Sequence, residues 1–315
     1  MKGIRLIPDD TALDFVGKRA VAFVISLAII IASLGLAFTK GLNFGIDFTG
    51  GTIIEIRVNE APNLSDIRAE LNTLEIGAVS IQEFGEPTDL MVRLPQQEGG
   101  PDNQQAAIDK VRASLDMQFG EGQVDYRRTE FVGPQVGEEL KKAGALAVLW
   151  SLIGILAYIW VRFEWQYGVA AIIALMHDTI AVIGLFALTQ MQFDLSTVAA
   201  VLLVAGYSIN DTVVVFDRIR ENLRKYKKKP MAEVLNMAVN QTLARTLMTS
   251  GTTLLALGAL WLFGGEVIRG FVDALIFGIL IGTYSSIFVA SPVLVYLNLR
   301  RSDVDTGAEA VVNET

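Results

Sequence analysis

The sequence predicts an α-helical membrane protein with six transmembrane helices and an extracytoplasmic α+β domain, of ferredoxin-like βαββαβ order, between spans 1 and 2. Three observations predict it. Apolar residues gather into six long runs, and the charged residues sit between them. The one long polar interval, after the first run, alternates between strand-like and helix-like periodicity. A mean hydropathy of +0.44 averages over these two kinds of chain.

The runs cover 20–38, 143–161, 168–188, 195–216, 246–263 and 274–297. At about 1.5 Å of rise per residue each is long enough to cross a bilayer. Lys2, Arg5, Lys18, Arg19, Arg162, the basic stretch 217–245, Arg300 and Arg301 fall on one side, whereas the opposite short loops hold only Arg269. Cytoplasmic segments are enriched in Lys and Arg, so a cytoplasmic N-terminus (1–19) and tail (300–315) are expected. Span 1 has a long polar leader and no small-x-small cleavage site near Leu36 to Thr39, so it is expected to remain in the mature protein. The chain has no cysteine, which removes disulfide and thiolate chemistry.

The net charge of −8 is uneven, with 18 acids against 7 bases over 41–140. The cytoplasmic loop 217–245 is basic instead. Its RENLRKYKKKP cluster either touches anionic membrane lipid or serves topology alone.

The polar interval, 39–142 with its linkers, reads as strand 52–58, helix 64–74, strand 79–84, strand 89–94, helix 104–119 and strand 124–132. Asn63 is placed to cap the first helix. Nothing in the interval groups as a catalytic triad or metal cage, so it reads as a binding or lever domain. Before it stands GLNFGIDFTGG, where Gly45, Asp47, Gly50 and Gly51 mark a hinge or tight turn between span 1 and the sheet. No helix or Lys follows as a phosphate-cradling loop requires.

Polar residues inside the spans are the candidate site. Asp211 lies in an otherwise uncharged run, where a carboxylate costs about 3 kcal/mol at a span centre. It either faces a bundle interior or snorkels toward Asp217 and Arg218. Tyr207, Ser208 and Asn210 accompany it, with Tyr207 and Ser208 expected on its face. His177, the only histidine, stands with Asp178 mid-span, and a lone His without Cys argues against a metal site. Arg245 is a boundary residue by hydropathy, yet a helix starting near Met231 would draw it inward toward Asp211. Pro292 should kink the last span. The chain has no HExxH zinc motif, and Met248 precedes Ser250-Gly251 where a rhomboid-like site needs glycine. No enzyme activity, cofactor, metal or nucleic-acid partner is expected.

Three stretches carry a resemblance: GLNFGIDFTGGTIIEI at 41–56, VGPQVGEEL at 132–140, and GYSINDTVVVFDRIREN at 206–222 followed by NQTLARTLMTSGTTLLAL at 240–257. Over about 44–296 the chain resembles the SecF family, the smaller membrane subunits of the SecD and SecF accessory complex of the bacterial Sec translocase. The resemblance implies a six-span half of a resistance-nodulation-division-type transporter in the inner membrane, completed by SecD. It implies work beside SecYEG, often with YajC, pulling unfolded preproteins outward at the expense of the proton-motive force. The family's intramembrane Asp falls on Asp211 and its paired Arg on Arg245, and the His177–Asp178 pair also matches. A proton-coupled exporter of lipid or small solute on the same architecture is the alternative.

Overall fold

The computed structural model describes residues 12–77, 79–120, 122–265, 268–297 and 299. Lys2, Arg5 and the tail over 300–315 lie outside the described residues. In chain order, α1 spans Arg19–Thr39 and is followed by β1 (Asn43–Phe44), the one-turn α2 (Ile46–Thr49) and β2 (Gly51–Val58). The chain continues as α3 (Leu64–Asn72), β3 (Ser80–Phe84), β4 (Glu86–Leu94), α4 (Pro101–Phe119) and β5 (Val124–Val132). Beyond them lie α5 (Pro134–Arg162), α6 (Trp165–Thr189), β6 (Gln192–Phe193), α7 (Leu195–Lys225) and α8 (Met231–Phe263). The last span runs as α9 (Arg269–Ser285), a π turn (Ser286–Ala290) and α10 (Ser291–Tyr296). Among the described residues, six helical segments are long and apolar enough to cross a membrane.

Strands β2 to β5 form one antiparallel sheet in the order β3-β4-β2-β5. Alternation explains its two faces. Ile54, Ile56, Leu90, Val92 and Leu94 bury against α3 and α4, whose Ile67, Leu71, Ile108, Val111 and Leu115 complete a core separate from that of the helices. Asn63 caps α3 by accepting from the Ser65 N–H at 3.0 Å. The other face holds Ile53 and Met91 with a bidentate Arg57–Asp89 pair. That pair holds the Asp89 carboxyl below its usual range, whereas burial raises Glu55.

In the bundle, α6, α7 and α9 are central, while α1, α5 and α8 leave much of their surface exposed. Helix α9 crosses α7 closely because it offers no side chain at two positions a turn apart. A Cβ at Gly278 would lie 2.1 Å from Val204 Cγ2, and one at Gly282 3.0 Å from Ser208 Cβ. The pairs Gly278/Val204, Gly282/Ser208 and Ser286/Thr212 thus advance in step along the two helices. Pro292 lies two residues past the π turn, where its missing N–H forbids a regular helical bond.

Three features depart from the hydropathy pattern, two of them in where helices begin and end. The basic stretch 217–245 is not a loop: α7 runs to Lys225 and α8 starts at Met231. Polar bonds hold these extensions together, with Gln241 Oε1 accepting from Arg218 Nε at 2.7 Å and Asn222 Nδ2 at 2.8 Å. Helix α5 starts at Pro134, well before the apolar run at 143. The segment before span 1 is docked: Asn236 and Asn240 of α8 bond the backbone of Leu13, Phe15 and Val16, and Phe15 packs edge-on to Phe288 at 5.5 Å.

Candidate functional site

The bundle's apolar core is divided. One cluster packs around Tyr167, Phe216, Val239 and Leu294, another around Phe186, Val201, Val272 and Ile279. Between them, at mid-depth, lie the buried polar residues His177, Asp178, Ser208, Asp211, Thr212, Thr246, Ser250, Ser285 and Ser286. Buried polar groups are costly unless hydrogen-bonded, so the bonding pattern of this layer is informative.

Asp178 is fully buried and well satisfied. Its Oδ2 accepts from Ser208 Oγ at 2.6 Å and Ser285 Oγ at 2.7 Å, and its Oδ1 lies 2.9 Å from His177 Nδ1. His177 Nε2 is buried and has no hydrogen-bond partner among the described residues. The node therefore joins α6, α7 and α9.

Asp211 is only 3% exposed but poorly satisfied. Thr249 Oγ1 lies 3.5 Å from its Oδ1, at the limit of a hydrogen bond, and its Oδ2 has no hydrogen-bond partner among the described residues. Ser250 lies beside it, and Thr246 Oγ1, one turn earlier on α8, is also buried and without a hydrogen-bond partner among the described residues. The carboxylate faces the bundle interior rather than snorkelling. Arg245 lies inside α8 because that helix starts at Met231, and it acts on Asp211 electrostatically, with no ion pair to it within 4.0 Å among the described residues. Its guanidinium is exposed, and with Asp217, Arg218 and Gln241 it lines a cavity of about 320 Å³.

Other expected members are placed elsewhere. Asn210 is exposed on the outer side of α7. Ser208 turns to Asp178 rather than to Asp211, and Tyr207 Oη lies 3.3 Å from Thr253 Oγ1. Residues three apart on a helix are offset by about 60° around its axis, enough for a carboxylate and a hydroxyl on one broad face to serve neighbouring helices. Sequence reasoning missed Thr283, Ser285 and Ser286, although a Thr-Tyr-Ser-Ser run inside an apolar span was the signal.

The turn before the sheet is tight and pinned. Gly50 and Gly51 have φ of +69° and +118°, and a Cβ at Gly51 would lie 2.5 Å from Leu94 O. Gly45 has ordinary φ, but a Cβ there would meet Gln192 Nε2 at 2.9 Å. Its N–H donates to Phe193 O at 2.8 Å, and β1 pairs in parallel with β6. Asp47 Oδ2 accepts the Leu195 N–H at 2.9 Å, joining Asp194 at the start of α7. Arg93 Nη1 donates to Phe44 O at 3.2 Å, and burial lowers its guanidinium's affinity for a proton. Beside this turn, a cleft of about 540 Å³ separates the open sheet face from the helix ends.

The chain matches two family models: "Protein export membrane protein SecD/SecF, C-terminal" over residues 112–300 and "SecD/SecF GG Motif" over 35–62. It is 47% identical to the protein translocase subunit SecF of Rickettsia akari over 291 residues, covering 92% of this chain and 94% of that one. It is 46% identical to that of Rickettsia prowazekii, again over 92% of this chain and 93% of the relative. Its fold matches the crystal structure of SecDF, a translocon-associated membrane protein from Thermus thermophilus, with TM-score 0.84 and 37% identity. That match covers 94% of this chain and 40% of the solved one, so the chain spans well under half of SecDF. A super-membrane-facing form of SecDF matches with TM-score 0.69 and 36% identity, covering 97% of this chain and 41% of that one. The paired glycines, the buried Asp211 and the six helices thus stand in a chain that belongs to the SecD/SecF family of protein export membrane proteins, on its SecF side.

Proposed function

We propose that this chain is an accessory subunit of the Sec preprotein translocase, acting with SecD to convert the proton-motive force into late-stage export across the bacterial inner membrane. The observation that carries the reading is the contrast between the two buried carboxylates. Asp178 has its donors in place, whereas Asp211 has, among the described residues, no hydrogen bond at one oxygen, only the Thr249 hydroxyl at 3.5 Å from the other, and Ser250 beside it. A carboxylate held so loosely is suited to gaining and losing a proton, because neither form is locked by a finished set of bonds. In this reading protonation of Asp211 removes its attraction to Arg245 and shifts α8 relative to α7. A potential of 100 mV is worth about 2.3 kcal/mol per charge moved across, enough to bias such a two-state element. His177 and Asp178 form a second, fixed member of the proton-coupling set, and Asn210 lies on the face that would meet the partner half.

The SecD half would cover exposed helix surface, and SecYEG and YajC would be further partners. The sheet unit would be a ferredoxin-like domain on the extracytoplasmic side, a reading supported by its antiparallel order β3-β4-β2-β5. Pinned to the start of α7 through Asp47, it would act as the lever by which helix movement reaches an unfolded preprotein. The role is mechanical and needs no catalytic residue or cofactor. The test is export of a preprotein in vesicles containing SecYEG and SecD, with and without this chain. Stimulation that needs this chain and vanishes with a protonophore supports the reading, and stimulation indifferent to the protonophore contradicts it.

A further inference from the structure

Three residues of the last span, Thr283, Ser285 and Ser286, lie between the Asp178 node and Asp211. Thr283 Oγ1 lies 2.7 Å from Ser250 Oγ, which stands beside Asp211. Tyr284 Oη donates to Ala22 O of α1 at 2.9 Å. Ser285 donates to Asp178, and Ser286 Oγ lies 2.8 Å from Thr212 Oγ1, the residue after Asp211.

Several of these hydroxyls have more acceptors than protons. Ser285 Oγ–H faces Asp178 Oδ2 at 2.7 Å and its own helix's Gly282 O at 3.1 Å, and it can donate to only one at a time. Thr249 Oγ–H likewise faces Asp211 Oδ1 at 3.5 Å, Thr246 O at 2.9 Å and Arg245 O at 3.1 Å. A charged carboxylate draws such a rotor toward itself, and a neutral one releases it to the backbone. Movement of one rotor is felt by the others because α9 has no slack against α7 at Gly278 and Gly282. The π turn that starts at Ser286 is the place in the span where the helical ladder is already broken.

We propose that Ser285, with Thr283 and Ser286, is a positioning residue that couples the Asp178 node to Asp211, so that the bonding at Asp178 sets how readily Asp211 takes up its proton. The proposal rests on the reading of Asp211 as the proton-coupling residue. The titratable and charged groups facing this layer are His177 and Asp178 from α6, Tyr207 and Asp211 from α7, Arg245 from α8 and Tyr284 from α9. Helix α1 brings hydroxyls at Ser26 and Ser33 and no ionisable residue after Arg19.

The test is infrared titration of the carboxyl bands in full-length protein, labelled at aspartate and reconstituted in lipid vesicles, with Asp211→Asn and Asp178→Asn used to assign them. In Ser285→Ala the midpoint of the Asp211 band should move by at least about threefold in proton concentration, and Ser285→Thr, which keeps a hydroxyl, should restore it. Thr179→Ala, which removes a hydroxyl bonded only to Leu175 O of its own helix, should leave the midpoint unmoved. An unmoved midpoint in stable Ser285→Ala protein, or an equal movement in Thr179→Ala, overturns the proposal. If Ser285→Ala does not insert, Asp178→Asn must move the Asp211 midpoint to the same extent, and its failure to do so overturns the proposal equally. No translocation is involved in this readout. A moved midpoint with unaffected export would leave the coupling standing and sink the export role of Asp211, and the converse would do the reverse.

Discussion

Asp47 accepts the N–H of Leu195 at 2.9 Å across 148 residues of sequence, so a side chain in the turn before the sheet closes the first turn of the helix that carries Asp211. In the proposed mechanism, movement along α7 would reach the sheet through this bond rather than through a slack linker.

Asp47→Ala should weaken that junction by about 1 kcal/mol, the usual worth of a lost helix-terminal acceptor. Asp194 and its capping box with Thr197 keep α7 itself intact. Preprotein export should fall more than membrane abundance does. Abundance measured by immunoblot falling in proportion to export would show a purely structural contact.

Gly51→Ala should destabilise the sheet unit by about 1–3 kcal/mol, because φ of +118° and a Leu94 carbonyl 2.5 Å from the new Cβ leave no relaxed geometry. Gly133→Ala, with φ of −69° and nothing within 4 Å, should be close to neutral. Urea unfolding of a fragment covering 42–134 measures both. Cooperative unfolding of the wild-type fragment is itself expected, since its core closes without the helices.

The same fragment should lose stability in acid through Asp89. Its carboxyl is lowered by Arg57, so the stabilisation is present above the unfolded value near 3.9 and is lost as pH falls through the lower folded value. Glu55, raised by burial, has the opposite sign: the fold loses a little stability as pH rises through the raised value. Asp89→Asn should flatten the acid limb of a melting-temperature profile, and Glu55→Gln should not.

Much of this was legible before the structure. Alternation in TIIEIRV and DLMVRL locates strands because one sheet face must be apolar, and six runs of apolar residues locate spans because lipid offers no hydrogen bonds. Helix ends were less legible, since hydropathy reports where a helix meets lipid and not where its backbone stops bonding. That is why α8 starts at Met231 and carries Arg245 inside it. The partners of polar residues were least legible of all. Ser208 and Asp211 are three apart in sequence yet bond toward different helices, a choice set by the close α7–α9 crossing at Gly282. The docking of Phe15 on α8 and Phe288 is a long-range contact that no local periodicity announces.

Arg245 acts on Asp211 through its charge and, among the described residues, makes no ion pair with it, so its charge rather than its planar fork should matter most. Arg245→Lys should keep part of the proton-driven stimulation of export and Arg245→Met should lose it, in vesicles with equal amounts of inserted protein. Equal activity of the Lys and Met variants would remove the charge from the account.

The central claim is that a proton on Asp211 drives the movement, and Asp211→Asn tests it most directly because it keeps shape and hydrogen bonding but cannot ionise. The measurement is protonophore-sensitive export in vesicles holding SecYEG, SecD and the variant, normalised to SecD-bound protein. The account predicts normal assembly with proton-dependent stimulation abolished. Undiminished proton-dependent stimulation by stably assembled Asp211→Asn protein would contradict it.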